Sequence, residues 1–515
     1  MKNIKPLVFW PPFLLLMGAV GFSLVQPQLF IATLESINTE ILSRFGWLFN
    51  TGTFFMLMVA IALWFSPLAG VRIGGPEAKP LLTRWRWFSI TLCTTIAVGV
   101  LFWGSAEPIF HFYGPPESLG IEPGSYEAAK FALTTVYLHW TYTPYAIYTI
   151  PSVAFAIAYY NMKKPYSLGS LITPIFGDRA TGPGGQIIDA ICLFSLVTGM
   201  AASLGTGLLT LAGGLGRLMD LETTPLTLGI ITVAIVTAFA ISAASGLMKG
   251  IRILSDLNLK IFMALAAFVL VFGPTQFILS FGTEAFGEYL VNLPGRSLFN
   301  GSGGDPWPQQ WTIFYWSNWL AWAPVSALFL GRIGYGYTVR EFISMNLFFP
   351  ATFVAGWMAI FSGTALHMEM VQNAGVQALI PNNSEQIVYE LFGTLPIAGM
   401  VVAFFVGTAF LSYVTSADSN TAAMGGISSS GMSPESPEPG TFVKLAWGVT
   451  IGIIAWVMVS YAGIGGVKSI SKLGGLPALL LVLAVTAAVI RIAVNPGKYL
   501  VKEDLLAKDT PPAAE

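Results

Sequence analysis

A helix that crosses lipid must satisfy its own backbone, so it shows in a sequence as about 20 consecutive, mostly apolar residues. This 515-residue chain carries about twelve such stretches, centred near Met17, Leu57, Gly99, Ile147, Thr198, Ala234, Phe268, Ala321, Phe353, Ala403, Ile453 and Ala484. With 54% hydrophobic and only 10% charged residues, the composition excludes a soluble globule and fits an all-α polytopic membrane protein of about 12 transmembrane helices. A formal net charge of -1, without a charge block, offers nothing to a nucleic-acid backbone. The two cysteines, Cys93 and Cys192, lie in apolar segments and imply no disulfide framework. The N-terminal KNIKPLVFWPPFLLLMGAVGFSLV opens like a signal peptide, yet its apolar run is long and no clear small-residue cleavage site follows, so it reads as a retained first span.

Cations collect in alternate loops: Arg72, Lys79, Arg84 and Arg86; Lys163, Lys164 and Arg179; Lys249 and Arg252; Arg332 and Arg340. The positive-inside rule places those loops, and both termini, in the cytoplasm of a cell with the chain in its cytoplasmic (inner) membrane. The intervening loops carry acids such as Glu117, Glu122, Glu127, Glu284, Glu288, Glu385 and Glu390. The third and eighth spans, TTIAVGVLFWGSAEP and WTIFYWSNWLAWAP, both set small or polar residues beside aromatic ones. Matching interrupted helices in two halves point to an inverted-repeat transporter with its site near the bilayer midplane, although small residues in such helices also serve plain packing.

The eighth span enters from the outer side at Trp311, after an outer loop from Gly282 to Gln309. At 1.5 Å per residue Trp319 lies about 12 Å and Trp322 about 16 Å deeper, too deep for an interfacial belt. Trp311, Tyr315, Asn318 and Trp322 share a stripe, with Trp316 and Trp319 in the same segment. The fourth span brings Trp140, Tyr145 and Tyr148 to similar depth, and Pro144 should kink it. In the third span Phe102 and Trp103 follow Gly99, where a missing side chain would admit a ligand to the backbone. Aromatic packing accounts for each cluster singly; convergence of three at one depth favours a void lined by ring faces. Such a void attracts a cation without hydrogen-bond donors, a methylated ammonium, at roughly 2 kcal/mol per desolvated ring. No acid lies mid-span in these three helices, and Glu107 reads as a solvated or interfacial carboxylate near the outer end of the third. His111, His139 and His367, the only histidines, show no ligand spacing, which weighs against an integral-membrane enzyme. No cofactor is expected.

With these residues in view, the chain resembles the betaine/choline/carnitine transporter family, whose eighth-span signature is close to W-T-x-F-Y-W-x-W-W-x-x-W-x-P. Trp311, Thr312, Phe314, Tyr315, Trp316, Trp319, Trp322 and Pro324 match it, and Asn318 stands where the family usually has tryptophan. FWGSAEP, HWTYTPYAIY, KGIRILSDLN and TSADS extend the resemblance along nearly the whole chain. It implies a leucine-transporter-like fold with 5+5 inverted repeats: residues 1–87 as two spans outside the repeat, 88–281 as spans three to seven, 282–494 as spans eight to twelve, and 495–515 as a short cytoplasmic tail. It also implies a homotrimer, and an aromatic box of Trp140, Tyr145, Tyr148 and Trp319 with Trp322 nearby. Tyr145 in place of a tryptophan, and TIAVG at 95–99 in place of GMGIG, leave the substrate open among glycine betaine-like compounds, choline, carnitine and small methylamines such as trimethylamine. Adjacent Thr415 and Ser416 would bond back to the preceding helical turn by themselves. In the family they correspond to ligands of a coupling sodium ion, completed here by carbonyls near Cys93, Ile96, Ser412 and Tyr413. Sodium symport is thus expected, with a sodium-independent exchanger of the same family as the alternative.

Overall fold

The computed structural model describes residues 4–95, 99–244, 247–431, 439–501 and 503–504, with the side chains of 243–252 outside that set. Ile96, the side chains of Lys249 and Arg252, and the tail from residue 505 therefore lie outside the described residues. The first spans are α1 (Pro6–Val25) and α2 (Pro27–Phe65), followed by α3 (Arg84–Thr95), α4 (Gly99–Tyr113), α5 (Tyr126–Trp140) and α6 (Tyr142–Ala156). A short α7 (Thr173–Phe176) leads to the long α8 (Pro183–Met219), then α9 (Pro225–Ala244), α10 (Leu247–Phe272) and α11 (Thr275–Ser297). The one-turn α12 (Trp307–Gln310) precedes α13 (Thr312–Ile333), α14 (Val339–Ile343), α15 (Phe349–Met370) and α16 (Ile387–Gly393). Last come α17 (Ala398–Ser428), α18 (Thr441–Leu473), α19 (Gly475–Val494) and α20 (Pro496–Tyr499). Among the described residues β-structure is limited to two isolated bridges, Ile4 with Ser429 and Arg72 with Thr338.

Among the described residues eight helical stretches are long and apolar enough to cross a membrane, nine with α3 and α4 counted as one span bent by 56°. The difference from about twelve has local causes. One stretch of 54 residues, Thr441–Val494, contains both α18 and α19. The fourth span is split into α5 and α6, each 15 residues long, by Thr141 at φ -108° and ψ -119°. The break falls three residues before Pro144, whose ring crowds the preceding turn and which has no N–H to give. In α13 the indoles, phenol and amide lower the hydropathy although the helix is buried on nearly every side. The expected outer loop from Gly282 is instead helical through Ser297, so the 281/282 boundary falls inside α11.

The alternating loops sort to opposite ends of the bundle. At one end Arg72 bonds Gly336 (2.7 Å), Asn161 joins Arg72 and Asp504, and the Lys5 amide donates to Ser428, so both described chain ends share the face of the cationic loops. At the other, Ser118 bonds Asp305, Lys130 pairs with Glu127, and Arg217 with Glu390. Between these ends α13 packs along α6, α8 and α19, which makes it the central helix of the site.

Candidate functional site

Trp319 is the hub. Its ring lies 5.4 Å from Trp140 at 79°, 5.4 Å from Tyr148 at 72°, and 6.3 Å from Tyr145. All four are shielded, with exposures of 3% for Trp140, 0% for Tyr145, 1% for Tyr148 and 4% for Trp319. Trp319 thus gathers the other three rings about itself in one aromatic cluster, the kind of surface that attracts a desolvated cation. The break at Thr141 has a second effect. Interrupting the helix leaves the His139 carbonyl available, and Trp319 Nε1 donates to it at 3.0 Å. The kink thus orients the hub ring as well as bending the span. Gly99 also has a definite role, since a Cβ there would lie 2.9 Å from Trp140 Cη2. Its missing side chain makes room for a ring of the protein, where the sequence led us to expect a ligand.

Other aromatic residues go elsewhere. Phe102 packs on Trp103, which faces Trp311, Phe314 and Tyr315 in a second cluster that adjoins the box where Tyr315 lies 5.4 Å from Trp140. Lys468 of α18 completes that cluster, with Nζ 3.6 Å from the Trp311 ring centroid and 5.0 Å from Phe314. Trp316 is fully buried edge-on to His139, 5.9 Å away, and takes no part in the box. Trp322 sits one turn beyond Trp319, against Gly199 of α8, and lines a small void with Ser203, Tyr413 and Ser416. Asn318 is half-buried, and its Oδ1 is buried without a hydrogen-bond partner.

Glu107 corrects the sequence reading most. It is fully buried rather than solvated or interfacial. Its Oε2 accepts from Trp140 Nε1 at 2.6 Å and from the Tyr315 hydroxyl at 2.5 Å. Its Oε1 meets His139 Nδ1 at 2.6 Å and His111 Nε2 at 3.2 Å. Two histidines without any ligand spacing in sequence therefore converge in space, their ligand atoms and that of Glu107 all within 4.8 Å of one another. His139 spends its other nitrogen on Thr312 at 3.0 Å, and the carboxylate is already bonded on both oxygens. The set forms a hydrogen-bond network through both carboxylate oxygens and both nitrogens of His139, while His111 Nδ1 lies buried without a partner. One signal was available in FWGSAEPIFHF, where Glu107 and His111 are four apart and so share a helix face. Nothing in sequence announced His139 or Tyr315 as their partners.

The residues expected around sodium divide between two faces of α17. Ser412 Oγ pairs with Asn258 of α10, whose Nδ2 lies 3.0 Å from it and 3.7 Å from Cys93 Sγ. Tyr413 points the other way and donates to the Ser203 carbonyl. Thr415 Oγ1 bonds back to Leu411 at 2.8 Å, whereas Ser416 Oγ is buried without a partner. Helix α17 runs unbroken through all of them, so the Ser412 and Tyr413 carbonyls are not released by unwinding. The sequence reading also missed Asp418, fully buried and bonded to Ser242 of α9 at 2.6 Å, and Asn420, which accepts from Ser326 of α13 at 2.7 Å.

A bundle of broken membrane helices around a buried ring cluster defines a multi-pass membrane transporter, and comparison with known proteins names the kind. The family model described as betaine/carnitine/choline family transporter matches residues 7–497. Similar proteins include the glycine betaine transporter OpuD of Bacillus subtilis (strain 168), 30% identical over 521 residues, 99% of this chain and 99% of that protein. The high-affinity choline transport protein of Escherichia coli (strain K12) is 30% identical over 446 residues, 86% of this chain and 65% of that protein. Among solved structures, the substrate-bound outward-open state of a Na+-coupled sialic acid symporter aligns over 89% of this chain and 98% of that one, at 15% identity and a TM-score of 0.39. The chain belongs to the betaine/carnitine/choline transporter family, and is a transporter rather than an enzyme.

Proposed function

We propose that the protein imports a methylated or quaternary ammonium compound by secondary active transport, recognising it through cation–π contacts in the box of Trp140, Tyr145, Tyr148 and Trp319. The observation that carries this reading is four shielded rings gathered about Trp319, the described acid nearest them, Glu107, being held behind Trp140 by its N–H. A primary amine would need acceptors for its protons, whereas a fully methylated nitrogen needs only polarisable faces. Candidates are glycine betaine-like compounds, choline, carnitine and trimethylamine. The unpartnered Oδ1 of Asn318 favours keeping a small, incompletely methylated amine among them, because it could accept a single N–H.

Coupling is proposed to be sodium symport, with the ion held by oxygens of Thr415, Ser416 and the nearby carbonyls of α3 and α17, and alternating access produced by residues 88–281 moving against 282–494. Buried, unpartnered Ser416 supports this, and Thr415, which only donates to Leu411, keeps its lone pairs for an ion; a sodium-independent exchanger of the same family is the alternative. The protein is placed in the cell's inner membrane with both termini cytoplasmic, and as a homotrimer. Uptake of labelled glycine betaine into proteoliposomes, competed by choline, carnitine and trimethylamine and run in sodium and then in potassium, tests both parts. Failure of every methylated amine to be taken up or to compete sinks the substrate reading, and equal uptake in potassium sinks symport alone.

A further inference from the structure

An ionisable group buried in a membrane bundle is costly and calls for a function with a named partner. Glu107 is such a group. It touches no solvent, and of its four partners one is a ring of the box itself, Trp140, through Nε1 at 2.6 Å. A second, Tyr315, packs on that same ring at 5.4 Å while donating its hydroxyl to the same oxygen. The indole N–H of Trp140 can only donate, so Oε2 is its acceptor, and the Tyr315 hydroxyl reaches the same oxygen, an arrangement that an ionised carboxylate fills. His111 and His139 hold the other oxygen, and His139 is fixed in turn by Thr312 and by stacking on Tyr315 at 4.5 Å. Lys468 is the facing cation from α18, separated from this network by Trp311, whose ring is 4.5 Å from His111.

We propose that Glu107 is the positioning and cation-selecting residue of the aromatic box. It rests on the methylammonium reading above and names what makes the box prefer a cation. Two physical effects act together. The short bond to Nε1 fixes the Trp140 ring against Gly99 and Trp319, and donation of that N–H to a charged acceptor polarises the indole and enriches its π face. The carboxylate also contributes a fixed negative potential one ring behind the site, which low dielectric does little to screen. Glu107 does not touch the substrate; it acts through Trp140.

The test separates charge from shape by using pairs of ligands with equal outlines. Binding to the purified full-length chain is measured for glycine betaine against 3,3-dimethylbutanoate, and for choline against 3,3-dimethylbutan-1-ol, each pair differing only by carbon for charged nitrogen. In Glu107→Gln the preference for the ammonium member falls about tenfold, because a neutral amide replaces the charge-assisted acceptor, while the affinity of the carbon isostere stays close to that of the unaltered protein. A role in packing alone would weaken both members alike, and an unchanged preference in Glu107→Gln overturns the proposal. If the unaltered protein shows no preference in either pair, the methylammonium reading fails, and this one with it. Should Glu107→Gln not fold, Glu107→Asp decides: it keeps the charge but retracts the acceptor by one methylene. A preference for the ammonium member that falls while the isostere keeps its affinity supports the proposal, and an equal loss for both members, or affinities equal to the unaltered protein's, overturns it.

Discussion

The two regions assigned to substrate and to ion use their helix backbones in opposite ways. Around Trp319 the fourth span is broken at Thr141, a carbonyl is freed, and an indole from another helix claims it. Along α17 the helix is continuous from Ala398 to Ser428, and the Thr415 hydroxyl is spent on its own preceding turn. The contrast teaches what each ligand demands. A bulky cation without donors needs shaped space, and a proline-induced break provides it at a fixed place. A small ion needs free oxygens, and an intact helix has already committed most of its own. The Thr415 hydroxyl gives its proton to Leu411 and so keeps its lone pairs turned outward, which leaves Thr415 and Ser416 as the side-chain oxygens of this face open to an ion.

The largest effect that could break this contrast is at the hub. Trp319→Phe keeps a ring but loses the donor to His139, and Trp319→Ala loses both. Substrate binding is expected to weaken by roughly 1 to 3 kcal/mol in the alanine variant and by less in phenylalanine, as read by equilibrium binding. Trp316→Phe, outside the box, should leave affinity unaltered; equal losses at both positions would return all these rings to packing. Next in size is coupling. Replacing Thr415 and Ser416 together with alanine should abolish most of the sodium stimulation of uptake while expression and sodium-free binding persist, and stimulation equal to the unaltered protein's would remove the ion from this face.

A smaller effect sharpens the substrate side. Asn318→Trp restores the family's ring and removes the unpartnered amide, so relative affinity should move several-fold toward larger quaternary compounds and away from trimethylamine, on the scale of one added aromatic contact. An equal loss for every candidate would mean that Asn318 supports the helices only. The smallest effect on transport is expected at Glu385, in the turn before α16 and remote from both regions. Burial pushes its carboxyl up from 4.5 to about 7. The folded protein thus binds a proton that the unfolded chain has lost between those values, so this group's contribution to stability is most favourable below about pH 4.5 and declines as pH rises to about 7. Glu385→Gln should flatten that decline in thermal melts taken between pH 5 and 8, leaving the substrate preference alone; a slope as steep as before would assign it to another group.

Much of this architecture was legible in the residues themselves. A span is a local property, since about 20 apolar residues can satisfy their backbone only as a helix in lipid. The cationic loops, too, could be grouped from their alternation, and the structure gathers Arg72, Gly336, Asn161 and Asp504 at one end as that grouping requires. The family signature in α13, the proline break and the candidate rings of α6 were readable for the same reason, each depending on residues within a few positions of one another. What the one-dimensional pattern could not decide was rotation and pairing. Trp316, Trp319 and Trp322 occupy one segment, yet only Trp319 turns to the box, because 100° per residue sends its neighbours to His139 and to Gly199. Glu107 looked like an interfacial acid because its partners were invisible. His139 is 32 positions away and Tyr315 is 208, on two other helices, and only their packing converts a lone carboxylate into a satisfied, buried one.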